Sequence, residues 1–226
     1  MTLSNEYATI KTMLSGKQID TIHSIIKEPI YGEEFWTPTM IDETLSELEL
    51  LDKKLNLKKS TQDESTQNIK KYLKSIYGFR KEYFNALENG ELQKESEYQY
   101  RTAYGSLIKK QAICHGHSQA ERMLLGLADI ETSTLLSKSS EPDHVIFHYA
   151  TCIENKKAIF DPWFELRCEK KGWDFDEYIA NSFYMRPNEH YCKNKLVNGG
   201  LGIFMKDHMA TMPAEQIKRG EEYEIV

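Results

Sequence analysis

Apolar residues recur at helical spacing through the first half of this 226-residue chain. Ile41, Leu45, Leu48, Leu51 and Leu55 fall three and four apart, and Thr37-Pro38-Thr39 ahead of them supplies a capping hydroxyl and a proline suited to a first turn. That stripe predicts a helix whose apolar face is core. Less regular stripes of the same period run through Tyr7, Ile10 and Leu14, through Ile69, Leu73, Ile76, Tyr83 and Leu87, and through Tyr100, Tyr104, Leu107 and Ile108. Between them, residues 58–67 (Lys58 to Gln67) contain no apolar side chain and read as an exposed loop that joins helices of one core.

After residue 111 the period changes. Residues 114–127, with Met123, Leu124 and Leu127 on one side, read as one helix, and the β-branched run Thr132 to Leu136 reads as a strand. Val145–Ile153 and Ala158–Phe160 flank Glu154-Asn155-Lys156-Lys157, a hairpin in which Asn155 is expected to take the positive φ of the turn. Pro162 cannot donate to a ladder and ends the returning strand. A further helix is expected near Asp174–Ile179, and a turn at Asn198-Gly199-Gly200. The pattern is α+β: a helical region, 1–110, packed on a core, 111–226, in which one helix lies against an antiparallel sheet.

Composition narrows the function classes. With 40% hydrophobic and 28% charged residues the chain is an ordinary globular one, not a disordered or fibrous one. Its 29 basic and 35 acidic residues sum to −6, so no global positive field exists to hold a phosphate backbone, and nucleic acid is excluded as a partner. Four cysteines, Cys114, Cys152, Cys168 and Cys192, are too few and too widely spaced for a disulfide framework and are expected to be reduced. The N-terminus shows no charged-then-apolar signal and no segment is long and apolar enough to span a membrane. The expected location is the cytoplasm where the chain is made, with export open only to a system that leaves no hydrophobic signal.

Within that frame Cys114 is the candidate nucleophile. In Ala112-Ile113-Cys114-His115-Gly116-His117-Ser118 it stands where a helix begins, and unpaired N–H groups and the positive end of the helix dipole favour a thiolate and can hold an oxyanion. The base must come from a facing element. His144 and His148 share one face of the hairpin strand but are about 13 Å apart, so only one can reach the thiol. A turn centred on Asn155-Lys156 puts Asp161 opposite Ala150 and makes His148 its diagonal neighbour, which favours His148 and leaves His144 as the alternative base. For the same reason Cys114, His115, His117, His144 and His148 do not suit a single metal ion. Cys152 alternates with His148 as a packing residue, and Cys168 and Cys192 carry no motif.

The run 112–118 resembles the nucleophile motif of the transglutaminase-like, papain-related superfamily of cysteine enzymes, a Gly/Ala-x-Cys-x-Gly-aromatic-small sequence that opens the central helix. His148 through Asp161-Pro162 is similar to that family's histidine strand, turn and strand ending in Asp-Pro. The likeness covers residues 112–163. His117 stands where the family more often has an aromatic, the usual tryptophan two residues after the histidine is absent, and the interval from His148 to Asp161 is slightly short. The resemblance implies a papain-like core and a Cys114-His148-Asp161 triad acting on an amide of a protein or peptide, with no cofactor. Gln111 or Tyr104 would supply a second oxyanion donor, His115 would line the cleft, and Trp163 would form core or pocket wall. Glutamine deamidation or transamidation, as in bacterial effector and toxin enzymes with unrelated helical flanks, is favoured. A cysteine peptidase of the same fold is the alternative, and an inactive binding or scaffold protein the second.

Overall fold

Five helices precede the first strand among the described residues. The computed structural model describes residues 14–28, 35–77, 99–140, 145–186 and 217–226. Helix α1 spans Gly16–Lys27, α2 Pro38–Leu55, α3 Gln62–Ile76, the short α4 Ala103–Leu107, and α5 Cys114–Leu127. Thr37 caps α2 through the Met40 N–H, with Pro38 in its first turn, as the Thr-Pro sequence predicts. Two helix starts depart from expectation. A reciprocal capping box between Thr61 and Glu64 starts α3 at Gln62, inside the stretch expected to be a loop. A second box, Ser15 with Gln18, starts α1, whose stripe Ile22, Ile25 and Ile26 is buried.

Strands β1 (Thr132–Ser140), β2 (Val145–Ile153) and β3 (Ala158–Phe160) follow, then helices α6 (Pro162–Lys171) and α7 (Phe175–Ala180), and strands β4 (Phe183–Met185), β5 (Ile217–Arg219) and β6 (Glu224–Ile225). The sheet order is β5-β4-β1-β2-β3-β6. It is mixed rather than wholly antiparallel, because the short β6 runs parallel to β3. The hairpin keeps the expected register, with Ile153 opposite Ala158 and Thr151 opposite Phe160. Its positive φ falls on Lys157, not Asn155: the turn spans residues 154–157, and the left-handed residue is the one that re-enters the ladder. Pro162 ends β3 and also opens α6, which the strand pattern did not predict. Tyr7, Ile10, Tyr83, Leu87, His144, Cys192 and Asn198-Gly199-Gly200 lie outside the described residues.

Alternation along the strands sorts the two faces of the sheet. Leu136, Tyr149, Ile153, Ala158, Phe160 and Met185 join Leu48, Ile69, Leu73, Met123 and Leu124 in the main core, so the helices before β1 and the sheet share one apolar interior. On the reverse face Leu135, Ala150, Cys152, Ile159 and Tyr184 pack under Ile179 of α7. No helix among the described residues is long and apolar enough to cross a membrane.

Candidate functional site

Helix α5 begins at Cys114, whose side chain is half-buried. Its N-cap is Ile113, which offers no side-chain acceptor to the first turn. The turn is held from behind: the Ile113 N–H donates to the Tyr100 carbonyl at 3.0 Å, and the Ala103 N–H to Gln119 Oε1 at 2.8 Å. Gly116 is required here, since a Cβ would stand 2.5 Å from the Thr102 carbonyl oxygen. The backbone that packs against Gly116 is the segment leading into α4.

Cys114, Ser118 and Glu121 lie one above another on α5, at i, i+4 and i+7. Ser118 Oγ is 3.3 Å from Thr151 Oγ1, and Thr151 Oγ1 is bonded to Glu121 Oε2 at 2.7 Å. The Tyr77 hydroxyl, from the end of α3, is 3.2 Å from Glu121 Oε1. Burial, with the charge of Asp161 added, raises the Glu121 carboxyl well above its ordinary range and favours the neutral acid. One turn before Ser118, the stripe points Cys114 toward the half of β2 that precedes Thr151, in line with the His115 ring 4.7 Å from that of Tyr149. There β2 has no β3 partner among the described residues, because the pairing covers only Thr151–Ile153.

The expected histidine and carboxylate meet. His148 Nε2 is 2.7 Å from Asp161 Oδ2, and both residues are buried. Asp161 Oδ1 accepts the Phe164 N–H at 3.0 Å, so the same carboxylate caps α6. Phe164 returns to cover the imidazole, with ring centroids 4.6 Å apart and planes 14° from parallel. With Nε2 on Asp161, the remaining ring nitrogen, Nδ1, is buried and finds no hydrogen-bond partner among the described residues. Tyr149 and Thr151 point at α5, whereas His148 and Asp161 leave their strands on the other face. Cys114, packed on the main core, and His148 thus come to this margin of β2 from opposite faces.

The other candidates separate. Tyr104 is buried in α4 and its hydroxyl donates to Glu43 Oε2 on α2 at 3.0 Å, which commits it to the helical core rather than to an oxyanion. Gln111 is half-buried, three residues before Cys114. His115 and His117 are both buried. His117 sits between the rings of Tyr77, at 4.0 Å, and Trp163, at 5.9 Å, with Ser106 Oγ 3.1 Å from Nδ1. Burial lowers its pKa to about 3, so it is neutral at ordinary pH. Trp163 is a partly buried wall, with Arg167 over its ring at 5.9 Å. Cys152 is buried, and burial raises its thiol to about 11, which suits packing and not attack. No group of three or more His, Cys, Asp or Glu side chains among the described residues could hold a metal ion. Glu121, Thr151 and Phe164 escaped the sequence reading; the i+7 spacing from Cys114 was the available signal for the first.

Set against protein families, curated proteins and solved structures, the chain matches none.

Proposed function

We propose that the protein is a cysteine-nucleophile acyl-transfer enzyme acting on an amide of a protein or peptide, with glutamine deamidation or transamidation favoured. The observation that carries this is the buried His148–Asp161 pair, which leaves Nδ1 as the open ring nitrogen. In this mechanism Nδ1 takes the proton of Cys114, and Sγ forms a bond to the amide carbonyl carbon. The first-turn N–H groups of α5 receive the oxyanion. The C–N bond then breaks as Nδ1–H passes its proton to the amide nitrogen, which leaves as an amine, or as ammonia when the substrate is a glutamine side chain. Water resolves the thioester in a deamidase, and a second amine does so in a transamidase. Asp161 keeps the proton on Nε2 throughout. This mechanism requires Cys114 Sγ and His148 Nδ1 to meet at the margin of β2 that has no β3 partner among the described residues.

Alkylation with iodoacetamide at pH 7, mapped by mass spectrometry, tests this directly. Cys114 is expected to react about tenfold or more faster than Cys152 and Cys168, and His148→Ala to remove that advantage. Cys114→Ala is expected to abolish turnover of a glutamine-containing substrate; full turnover in that variant overturns the proposal. The placement of Cys114 and His148 on opposite faces of β2 favours a second reading, a binding or scaffold protein. It requires Cys114 to label no faster than an ordinary thiol, with or without His148.

A further inference from the structure

Helix α3 touches every element that carries a member of the proposed triad. At its first turn Gln62 Oε1 accepts a bond from Asn155 Nδ2 at 3.2 Å and Asp63 pairs with Lys156, both at the tip of the hairpin that holds His148 and Asp161. Along its length Lys70 and Lys74 pair with Glu165 of α6, at 2.6 and 3.3 Å, one turn beyond the Asp161 cap. Ion pairs near the surface contribute little by themselves, so the buried end of the helix decides what α3 does. There stands Tyr77, whose N–H closes the last turn on the Leu73 carbonyl at 3.0 Å and whose side chain is buried against α5. Tyr77 meets α5 at two heights. Its hydroxyl donates to Glu121 Oε1 at 3.2 Å, and its ring lies 4.0 Å from that of His117, one turn nearer to Cys114. Two contacts at different heights fix the rotation of a helix about its axis, which a single contact does not.

We propose that Tyr77 is a positioning residue for Cys114: from the helical region it holds α5 against β2, through His117 on one side and through Glu121 and Thr151 on the other. The link to β2 is direct. Glu121 accepts the Tyr77 hydroxyl on one oxygen and the Thr151 hydroxyl, at 2.7 Å, on the other, so one carboxyl joins α3, α5 and the strand that carries His148. Burial raises the Tyr77 hydroxyl well above its ordinary range, which keeps it a donor. The His117 ring is held in turn by Trp163 at 5.9 Å, two residues after Asp161, so the second contact also leads back to the histidine–carboxylate pair. Tyr77 lies outside residues 112–163, and the helical region that supplies it is part of the site rather than an appendage to it. The role rests on the proposed thiol chemistry for its effect on rate and on these contacts alone for its effect on α5.

The test is iodoacetamide labelling of Cys114 at pH 7 in the full chain, with and without His148→Ala in each background. Tyr77→Phe removes the hydroxyl and keeps the ring, and is expected to shrink the rate advantage that His148 gives Cys114 from about tenfold to below about threefold. Thr151→Val breaks the other bond to Glu121 and is expected to do the same, which keeps the test available if Tyr77→Phe fails to fold. Glu121→Gln can bond to both hydroxyls and is expected to keep the advantage. Cys152 and Cys168 are buried, and their slow labelling in every variant reports that the fold is retained. A variant that only loses stability would expose those thiols and leave the His148 dependence of Cys114 as it was. The full advantage in both Tyr77→Phe and Thr151→Val overturns the proposal, as does a loss in Glu121→Gln equal to that in Tyr77→Phe. Hydrogen exchange separates the positioning role from the thiol reading. The His117 amide, bonded to the Ile113 carbonyl at 3.0 Å, is expected to exchange about tenfold faster in Tyr77→Phe, relative to amides at the far end of α5. If His148→Ala leaves the Cys114 rate of the parent protein unchanged, the thiol mechanism falls and the His117 amide decides the positioning role, which unchanged exchange overturns.

Discussion

Glu121 is buried between the hydroxyls of Tyr77 and Thr151 and within the field of Asp161, so the folded protein favours its neutral form. The unfolded chain releases that proton near the ordinary value of 4.5. Above that pH the folded state holds one proton more than the unfolded state, and stability falls by about 1.4 kcal/mol per pH unit until the buried acid titrates. His117 acts in the opposite sense. Its folded pKa of about 3 lies below the ordinary 6.5, so its contribution is present above pH 6.5 and is lost as the pH falls toward 3. The two slopes oppose each other from pH 4.5 to 6.5, and above 6.5 only that of Glu121 remains. Glu121→Gln keeps a side chain of similar shape that can bond to both hydroxyls but does not titrate. Urea unfolding between pH 6.5 and 8 is expected to show a decline for the parent protein and a flatter profile for this variant; equal slopes would contradict a neutral Glu121.

At the scale of elements, Asp161 joins a helix start to a side-chain pair, and substitutions can separate the two roles. Asp161→Asn retains an oxygen for the Phe164 N–H, so α6 keeps its cap and stability is expected to change by less than about 1 kcal/mol. Its amide nitrogen would face His148 Nε2 and push the ring proton to Nδ1, the atom that must accept from Cys114. Activity is expected to fall by a factor on the order of 10³–10⁴. Asp161→Ala loses cap and partner together and is expected to lower stability as well, by about 1–2 kcal/mol, in a denaturant titration. The same scale shows what was legible beforehand. The ends of α5 and the register of the β2–β3 hairpin follow from local pattern, and that register brings Asp161 to His148. Helix α6 was hidden because Asp161-Pro162 ends a strand and opens a helix with the same two residues. The start of α3 was hidden because its capping box, Thr61 with Glu64, lies in a stretch with no apolar residue to mark a period.

Across the whole molecule, helices from the first half and strands from the second bury their side chains in one cluster, with Leu48, Ile69, Leu73, Met123, Tyr149 and Phe160 all members. Polar contacts tie the halves as well: Gln18 on α1 donates to the Leu127 carbonyl at the end of α5 at 3.0 Å, and Arg122 bonds to Glu28, Thr132 and Thr134. Leu48 is fully buried, and Leu48→Ala is expected to cost about 2–5 kcal/mol. Far-UV circular dichroism and exposure of the Cys152 and Cys168 thiols are expected to report one shared transition at a lower urea concentration. A helical transition that leaves both thiols protected would show that the halves unfold separately. By itself the sequence determined the α+β class, the α5 helix with its leading cysteine, and the hairpin that pairs His148 with Asp161, because each depends on spacing within one element or across one turn. Tertiary structure decided which face of β2 meets α5, which rings enclose His117 and His148, and that Glu121 lies beside the charge of Asp161. Those outcomes depend on contacts between elements far apart along the chain, where periodicity says which side is apolar but not which neighbour covers it.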